Sequence, residues 1–298
     1  IMRSIEGIFK ALGLGIGCVY ALFSFDFPIL DYGIFLLILL TAGIPHGAID
    51  HLTSNPHTNQ KSLIRFLINY LSLIAAYLLI WYVVPKIALA AFLLMSAYHF
   101  GQTHFIKREV ANNRLLNSLL YCSRGLLMLS VILFGDFEMT QSILAPILDI
   151  KGFYDSQILI ISVFLISSLS IQLYLKIGFS KADLIDLTVL PLLLYFSPLL
   201  VSFIIYFGFW HAVPSMMVEY RFLEKFPKFR GFKKFLIQLL PFSILSFIGI
   251  GLILFLGLSF LESQELLLLF FVLISLISFP HILYMDNFFK KISNTDQY

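Results

Sequence analysis

Six of the seven histidines in this 298-residue chain stand in long apolar runs: His46, His51, His99, His104, His211 and His281. The seventh, His57, sits in a polar loop. An imidazole in hydrocarbon is costly, so such residues turn inward and meet other polar groups. Neutral imidazoles gathered in one place are nitrogen ligands for a transition metal. Four of them lie at similar distances from the end of their run. His99 precedes Lys107 by eight residues, His211 precedes Arg221 by ten, His281 precedes Lys290 by nine, and His46 precedes the turn near Leu52 by six. At ~1.5 Å per residue these four sit roughly 9–15 Å below one membrane surface, on four different helices. The common depth predicts a metal site built from His46, His99, His211 and His281. Four imidazoles around Fe(II) leave up to two octahedral positions open, as oxygen chemistry requires. Zinc closed by four ligands would be structural.

The neighbours of these residues support a site. Pro45 precedes His46, Pro280 precedes His281, and Pro214 follows His211 by three. Proline kinks a helix and frees backbone carbonyls. Metal-bound imidazoles donate their other N–H to a carboxylate, carbonyl or water. Asp50 follows His46 by four, on the same helical face, and is the best placed for that role. Asp286, five after His281, and Glu219, eight after His211, are the further candidates. Arg124, in the middle of an apolar run, needs a partner, with Asp50, Glu219 and Asp286 all open to it. His51 and His104 stand nearer the surface, as interfacial groups, supports or alternative ligands. No HxxxH or HxxHH boxes, no histidine pair 13–14 apart for a haem and no GxSxG elbow are present. Cys18 and Cys122 are 104 residues apart with no CxxC, and are expected to act as small hydrophobes.

These residues must be carried by membrane helices. The chain is 59% hydrophobic and 12% charged, against roughly 25% charged in a soluble domain, and its mean hydropathy is +0.93. A cytosolic enzyme, a nucleic-acid binder and a disordered chain are excluded, and the surplus apolar surface faces the lipid bilayer. Apolar runs at 7–25, 30–50, 64–84, 87–106, 115–134, 157–176, 184–197, 199–220, 235–260 and 265–287 predict an all-α polytopic bundle of about ten spans. The seventh is short and interrupted by Pro191, with Pro198 just after it, so the range is eight to ten. The whole chain, 1–298, is expected to form a single transmembrane domain. Arg3 and Lys10 ahead of an apolar run, with no small-residue cleavage site after Ala21, predict a retained first helix.

The loops alternate in charge. One set holds Arg3 and Lys10; Lys61 and Arg65; Lys107, Arg108 and Arg114; Lys176 and Lys181; the basic residues of 221–234; and Lys290 and Lys291. The other holds Asp26, Asp31, Asp136, Glu138, Asp149, Asp155, Glu262 and Glu265, with Lys86 and Lys151 its only basic residues. The positive-inside rule then places both termini in the cytoplasm of an inner-membrane protein. The 32 phenylalanines and 14 tyrosines would line any tunnel through such a bundle, which suits a long apolar substrate.

Four phrases together resemble the Brp/Blh family of membrane proteins over about residues 40 to 288. They are Gly43-Ile44-Pro45-His46-Gly47-Ala48-Ile49-Asp50-His51, similar to a PHGAxD motif; Tyr98-His99-Phe100-Gly101-Gln102; Phe207-Gly208-Phe209-Trp210-His211; and Phe279-Pro280-His281-Ile282-Leu283 with Asp286. The resemblance implies an Fe(II)-dependent dioxygenase that cleaves the central double bond of beta-carotene with O2 into two all-trans-retinal molecules, in a family whose members often supply retinal to rhodopsins. It adds Tyr98 to His51 and His104 as possible further site residues. Where some relatives have a second histidine four residues after the third-motif histidine, Ser215 stands here. His281, offered by the depth pattern, takes that place. Two rivals are a transporter with an intramembrane His/Asp pathway and a non-catalytic partner of a retinal protein. The nearly apolar outer halves of the histidine-bearing helices speak against the first.

Overall fold

The computed structural model describes residues 2–23, 27–106, 108 and 113–295. Asp26 and Lys107, used in the charge pattern, lie outside the described residues. Helix follows helix, with no strand among the described residues. The order opens with α1 (Met2–Phe23), α2 (Pro28–Ile38), a π turn at Leu39–Gly43, a 3-10 turn at Pro45–Gly47 and α3 (Asp50–Ser54). There follow α4 (Gln60–Val83), α5 (Pro85–Phe105), α6 (Arg114–Gly135), α7 (Phe137–Leu144) and α8 (Gln157–Tyr174). Next come α9 (Lys181–Leu184), a π turn at Ile185–Val189, α10 (Leu190–Tyr195), α11 (Leu199–Ile205) and a π segment at Tyr206–Ala212. The chain closes with α12 (Val213–Glu224), α13 (Phe232–Gly257) and α14 (Ser263–Thr295).

The protein is an all-α polytopic membrane bundle. Among the described residues, eight helical stretches are long and apolar enough to cross a membrane, the lower end of the expected range. Two expected spans differ. α5 forms its full helix, but Ser96, His99, Gln102, Thr103 and His104 crowd its second half and lower its hydropathy. The 184–197 run breaks into α9, a π turn and α10. The 30–50 run is also not one helix. The ladder widens to i→i+5 bonds at Leu39–Gly43, and Pro45, lacking an N–H, opens a 3-10 turn instead of continuing it. Burial separates the spans: 89% of the apolar window in Leu199–Glu224 is buried, against 6% in Gln60–Val83. The stretch carrying His211 is therefore lodged in protein, while α4 leaves most of its apolar surface uncovered by the rest of the chain.

The chain divides into two compact units. The first comprises residues 1–39 and 93–214. In it α6 runs along α8, α11 packs on α2, and α1 packs on α10, α11 and the Tyr206–Ala212 segment. α5 and α6 touch backbone to backbone. A Cβ on Gly101 would stand 1.8 Å from the Tyr121 carbonyl, and one on Gly125 1.8 Å from the Ala97 carbonyl, so only glycine permits this approach. Arg124, fully buried on α6, donates to Ser168 Oγ at 2.8 Å and Gln172 Oε1 at 2.7 Å, with Asp183 4.0 Å away. The expected partners Asp50, Glu219 and Asp286 are not the ones it uses. The polar residues of α8 reach it first because α6 and α8 run side by side.

The second unit comprises residues 40–92 and 215–298. Here α14 packs on α4 and α3, and α13 packs on α14 and on the Pro45–Gly47 turn. Trp81 Nε1 donates to Ser275 Oγ at 2.9 Å, fastening α4 to α14. Ala48, Ile49, Leu52, Leu223, Phe229, Phe235 and Leu239 form a core cluster beneath the short turn. Burying these residues holds the irregular backbone around His46 in place.

Candidate metal centre

All four histidines of the expected ligand set are buried, and each unit joins two of them. In the second unit His46, on the 3-10 turn, meets His281, which follows Pro280 in α14. Their ring centroids are 4.6 Å apart and the planes are nearly perpendicular at 86°. His46 Nδ1 bonds to the Gly43 carbonyl, an acceptor left available where the helix ladder is interrupted. His281 Nδ1 lies 3.0 Å from both oxygens of Asp50. A carbonyl or carboxylate oxygen accepts, so Nδ1 carries the hydrogen in both rings and Nε2 carries the lone pair. Gly47 allows the close fit, since a Cβ there would come within 3.2 Å of His281 Nδ1.

Asp50 opens α3 and is 1% exposed. Its expected partner was His46, one turn earlier on a common helix. The break at Pro45 removes that shared face and turns the carboxylate to His281 instead. The Tyr70 hydroxyl, on α4, lies 3.4 Å from Asp50 Oδ2 and 3.2 Å from the Ile277 carbonyl. Glu219 on α12 is fully buried and within electrostatic reach of Asp50. Neither of its carboxyl oxygens, nor the hydroxyl of the buried Ser215 one turn earlier, has a hydrogen-bond partner among the described residues. Asp286 pairs with Lys290 one turn further on.

In the first unit His99 on α5 meets His211 in the π segment, again at 4.6 Å and with the rings steeply inclined at 76°. His99 Nδ1 faces Gln102 Oε1 at 3.4 Å. The rings of Phe100 and Phe207 flank His211 at 4.7 and 5.6 Å. The other histidines have different surroundings. Both ring nitrogens of His104 are engaged, by Asp186 at 3.0 Å and the Tyr206 hydroxyl at 3.1 Å. His51 packs edge-on against Phe242 and near Phe66, and His57 against Phe226. Tyr98 turns its ring to Tyr121.

Sequence reasoning passed over Tyr70, Gln102, Asp186, Tyr206 and Trp210. Asp186 carried a signal, a lone carboxylate within the apolar 184–197 run. The hydroxyl, amide and indole groups carried none, because such residues are common in membrane helices.

The chemistry available is that of nitrogen donors in dry surroundings. Each unit supplies two crossed, buried imidazoles. The second unit adds two buried carboxyl groups, Asp50 and Glu219. An oxygen acceptor on the outer nitrogen fixes the tautomer and raises the basicity of the inner one.

The profile of the family described as beta-carotene 15,15'-dioxygenase matches residues 14–289. A protein of uncultured marine bacterium 66A03 named beta-carotene 15,15'-dioxygenase is 28% identical over 280 residues, covering 87% of this chain and 94% of that protein. No solved structure matches. With the match running through all four histidine motifs and both histidine pairs, the chain belongs to the beta-carotene 15,15'-dioxygenase family.

Proposed function

We propose that this protein is an integral membrane dioxygenase that cleaves the central double bond of beta-carotene with O2 to give two molecules of all-trans-retinal. The four buried histidines His46, His99, His211 and His281 hold Fe(II), and residues 1–298 form a single transmembrane domain. The observation that carries this reading is the state of the outer nitrogens. Nδ1 of His46, His99 and His281 each faces an oxygen, from Gly43, Gln102 and Asp50. This is the arrangement that metal-bound imidazoles adopt.

Four neutral imidazoles bring no charge to offset a divalent ion. Asp50, hydrogen-bonded to His281, supplies an anionic group, and burial strengthens its attraction to the cation. His281 fills the place that Ser215 leaves. When bound, Fe(II) would be held by His46, His99, His211 and His281 and would supply the one-electron chemistry that lets O2 react with an alkene. The atoms balance without acid or base: one C=C and one O=O bond are lost, two C=O bonds form, and no proton is taken up or released. The residues of this chain therefore hold the imidazoles, exclude water and align the polyene. Phe100 and Phe207 beside His211 offer the aromatic faces that such a polyene packs against.

The charge pattern of the loops supports an inner-membrane location with both termini cytoplasmic, which reporter fusions at the C-terminus and in the 135–156 loop check. The retinal product links the enzyme functionally to a rhodopsin.

The test is co-expression in a carotene-making bacterium, scored for bleaching and for retinal by chromatography. Iron content of the purified protein is measured alongside. Retinal formation with one iron per chain is expected, and His46→Ala, His99→Ala, His211→Ala and His281→Ala each remove most of both. An unbleached culture with full expression overturns the activity. A histidine variant that keeps its iron and turnover leaves the ligand set.

A further inference from the structure

Within the first unit, α5 and the Tyr206–Ala212 segment meet twice. His99 meets His211. Five residues along each element, the His104 ring stacks on Tyr206 at 6.0 Å and 22°. Phe100 lies between the two contacts, 5.5 Å from the Tyr206 ring and 4.7 Å from that of His211. The five-residue step on the second element follows from its backbone. A π-helix bonds i→i+5 and turns less per residue, so Tyr206 meets His104 and His211 meets His99 while Phe207 stays stacked on His211. In an α-helix residues five apart differ in direction by about 140°, so the π register is what brings Tyr206 toward the face of His211.

A π turn is a rare and less favourable geometry, and it needs something to hold it. Asp186 is so placed. One carboxylate oxygen accepts from Trp210 Nε1 at 2.7 Å. The other accepts from His104 Nδ1 at 3.0 Å. His104 Nε2 then accepts from the Tyr206 hydroxyl at 3.1 Å. All three bonds are satisfied by one neutral tautomer of His104. Two residues of the π segment, Tyr206 and Trp210, are thus anchored to a single carboxylate, one of them through His104. Asp186, Tyr206 and Trp210 are all buried, and Asp186 stands in a π turn of its own, Ile185–Val189. Trp210 directly precedes His211, so a change in its direction changes that of the imidazole.

We propose that Asp186 is a positioning residue: through Trp210, and through His104 to Tyr206, it holds the Tyr206–Ala212 segment in π register and so aims the His211 ring at the metal. The proposal rests on His211 being a ligand.

The test uses full-length metal-free protein in detergent, with Co(II) alone as the probe, because its ligand-field spectrum reports geometry without oxygen chemistry. Asp186→Ala is expected to lower Co(II) affinity about 10–100-fold and to alter the spectrum. Asp186→Asn keeps an oxygen toward Trp210 and should recover most of the loss. Trp210→Phe, which retains an aromatic ring but not the N–H, should shift the same spectrum in the same direction while the protein remains helical, and it carries the test if Asp186→Ala does not fold. His211→Ala should abolish binding. If His211→Ala binds Co(II) like the parent, the ligand assignment fails and the proposal falls with it. If His211→Ala loses the ion while Trp210→Phe and the foldable Asp186 variants keep the parent affinity and spectrum, His211 stands as a ligand and the positioning role is overturned.

Discussion

Asp50 and His281 are 231 residues apart in sequence, yet both oxygens of the carboxylate lie 3.0 Å from one ring nitrogen. A carboxylate bridging symmetrically to an N–H fixes the plane of the ring as well as its tautomer. The opposite nitrogen is thereby committed to carrying the lone pair, as the proposed ligand role requires.

Asp50→Asn tests that commitment. The amide retains one acceptor oxygen but loses the charge and the symmetric bridge. Iron affinity should fall by about 10–100-fold, less than for His281→Ala, as read by metal titration of the purified protein. Loss as complete as in His281→Ala would mark the carboxylate as a ligand itself.

Tyr70 acts one step further out. Tyr70→Phe removes the hydroxyl shared between Asp50 and the Ile277 carbonyl. A hydrogen bond this long and shared between two acceptors contributes about 0.5–1.5 kcal/mol. Thermal unfolding in detergent should show a loss in that range, with iron content lowered less than in Asp50→Asn.

Gly101→Ala should be among the most damaging single-methyl changes in the chain. The new Cβ would stand 1.8 Å from the Tyr121 carbonyl, and that atom belongs to backbone that cannot swing aside. Overpacking of this kind costs about 1–3 kcal/mol or more. Gly15→Ala, with nothing within 4 Å of the new atom, should be neutral or gain up to about 1 kcal/mol from helix propensity. Melting temperatures of the two variants compared with the parent check the pair.

Asp183 gives the fold a dependence on pH. Burial favours its neutral acid, but the Arg108 guanidinium at 2.6 Å and the Ser180 amide and hydroxyl at 2.6 and 2.8 Å outweigh it. The carboxyl is held below the usual carboxylate range. A depressed folded-state value means that its stabilisation is fully present above the unfolded value of roughly 3.9 and is lost as pH falls through the folded one. Asp183→Asn should lower stability at neutral pH and flatten the acid limb of a melting-temperature profile, whereas an unchanged limb would assign that limb to other carboxylates.

The membrane class and the histidines were legible in the sequence because both are one-dimensional signals. Apolar length marks a span, and the distance from a basic loop residue marks depth. The outer partners were not legible even where they are local: Gln102, three residues from His99, and Gly43, three from His46, stand inside the histidine phrases without any sign of the role. Asp50 was found, but its partner was not, since an i,i+4 rule assumes an unbroken helix and Pro45 breaks this one. Arg124 invited a carboxylate, yet Ser168 and Gln172 answer it, because α6 lies along α8 in a way no spacing reveals. Among the described residues the ten apolar runs became eight long apolar helices, because polar residues accumulate on α5 and Ile185–Val189 departs from α geometry.

The contact between α5 and α6 has a consequence for how the enzyme meets a changing membrane. It is made by carbonyls facing glycines, with no side-chain rotamers in between, and His99 lies between the Ala97 and Gly101 contacts. A bilayer that thickens or thins acts on a helix by tilting it. Two helices joined at the backbone tilt as one body, so the height of His99 against α6 stays fixed while lipid composition varies. The glycines thus act as a mechanical clutch that keeps that imidazole in step with its neighbouring helix.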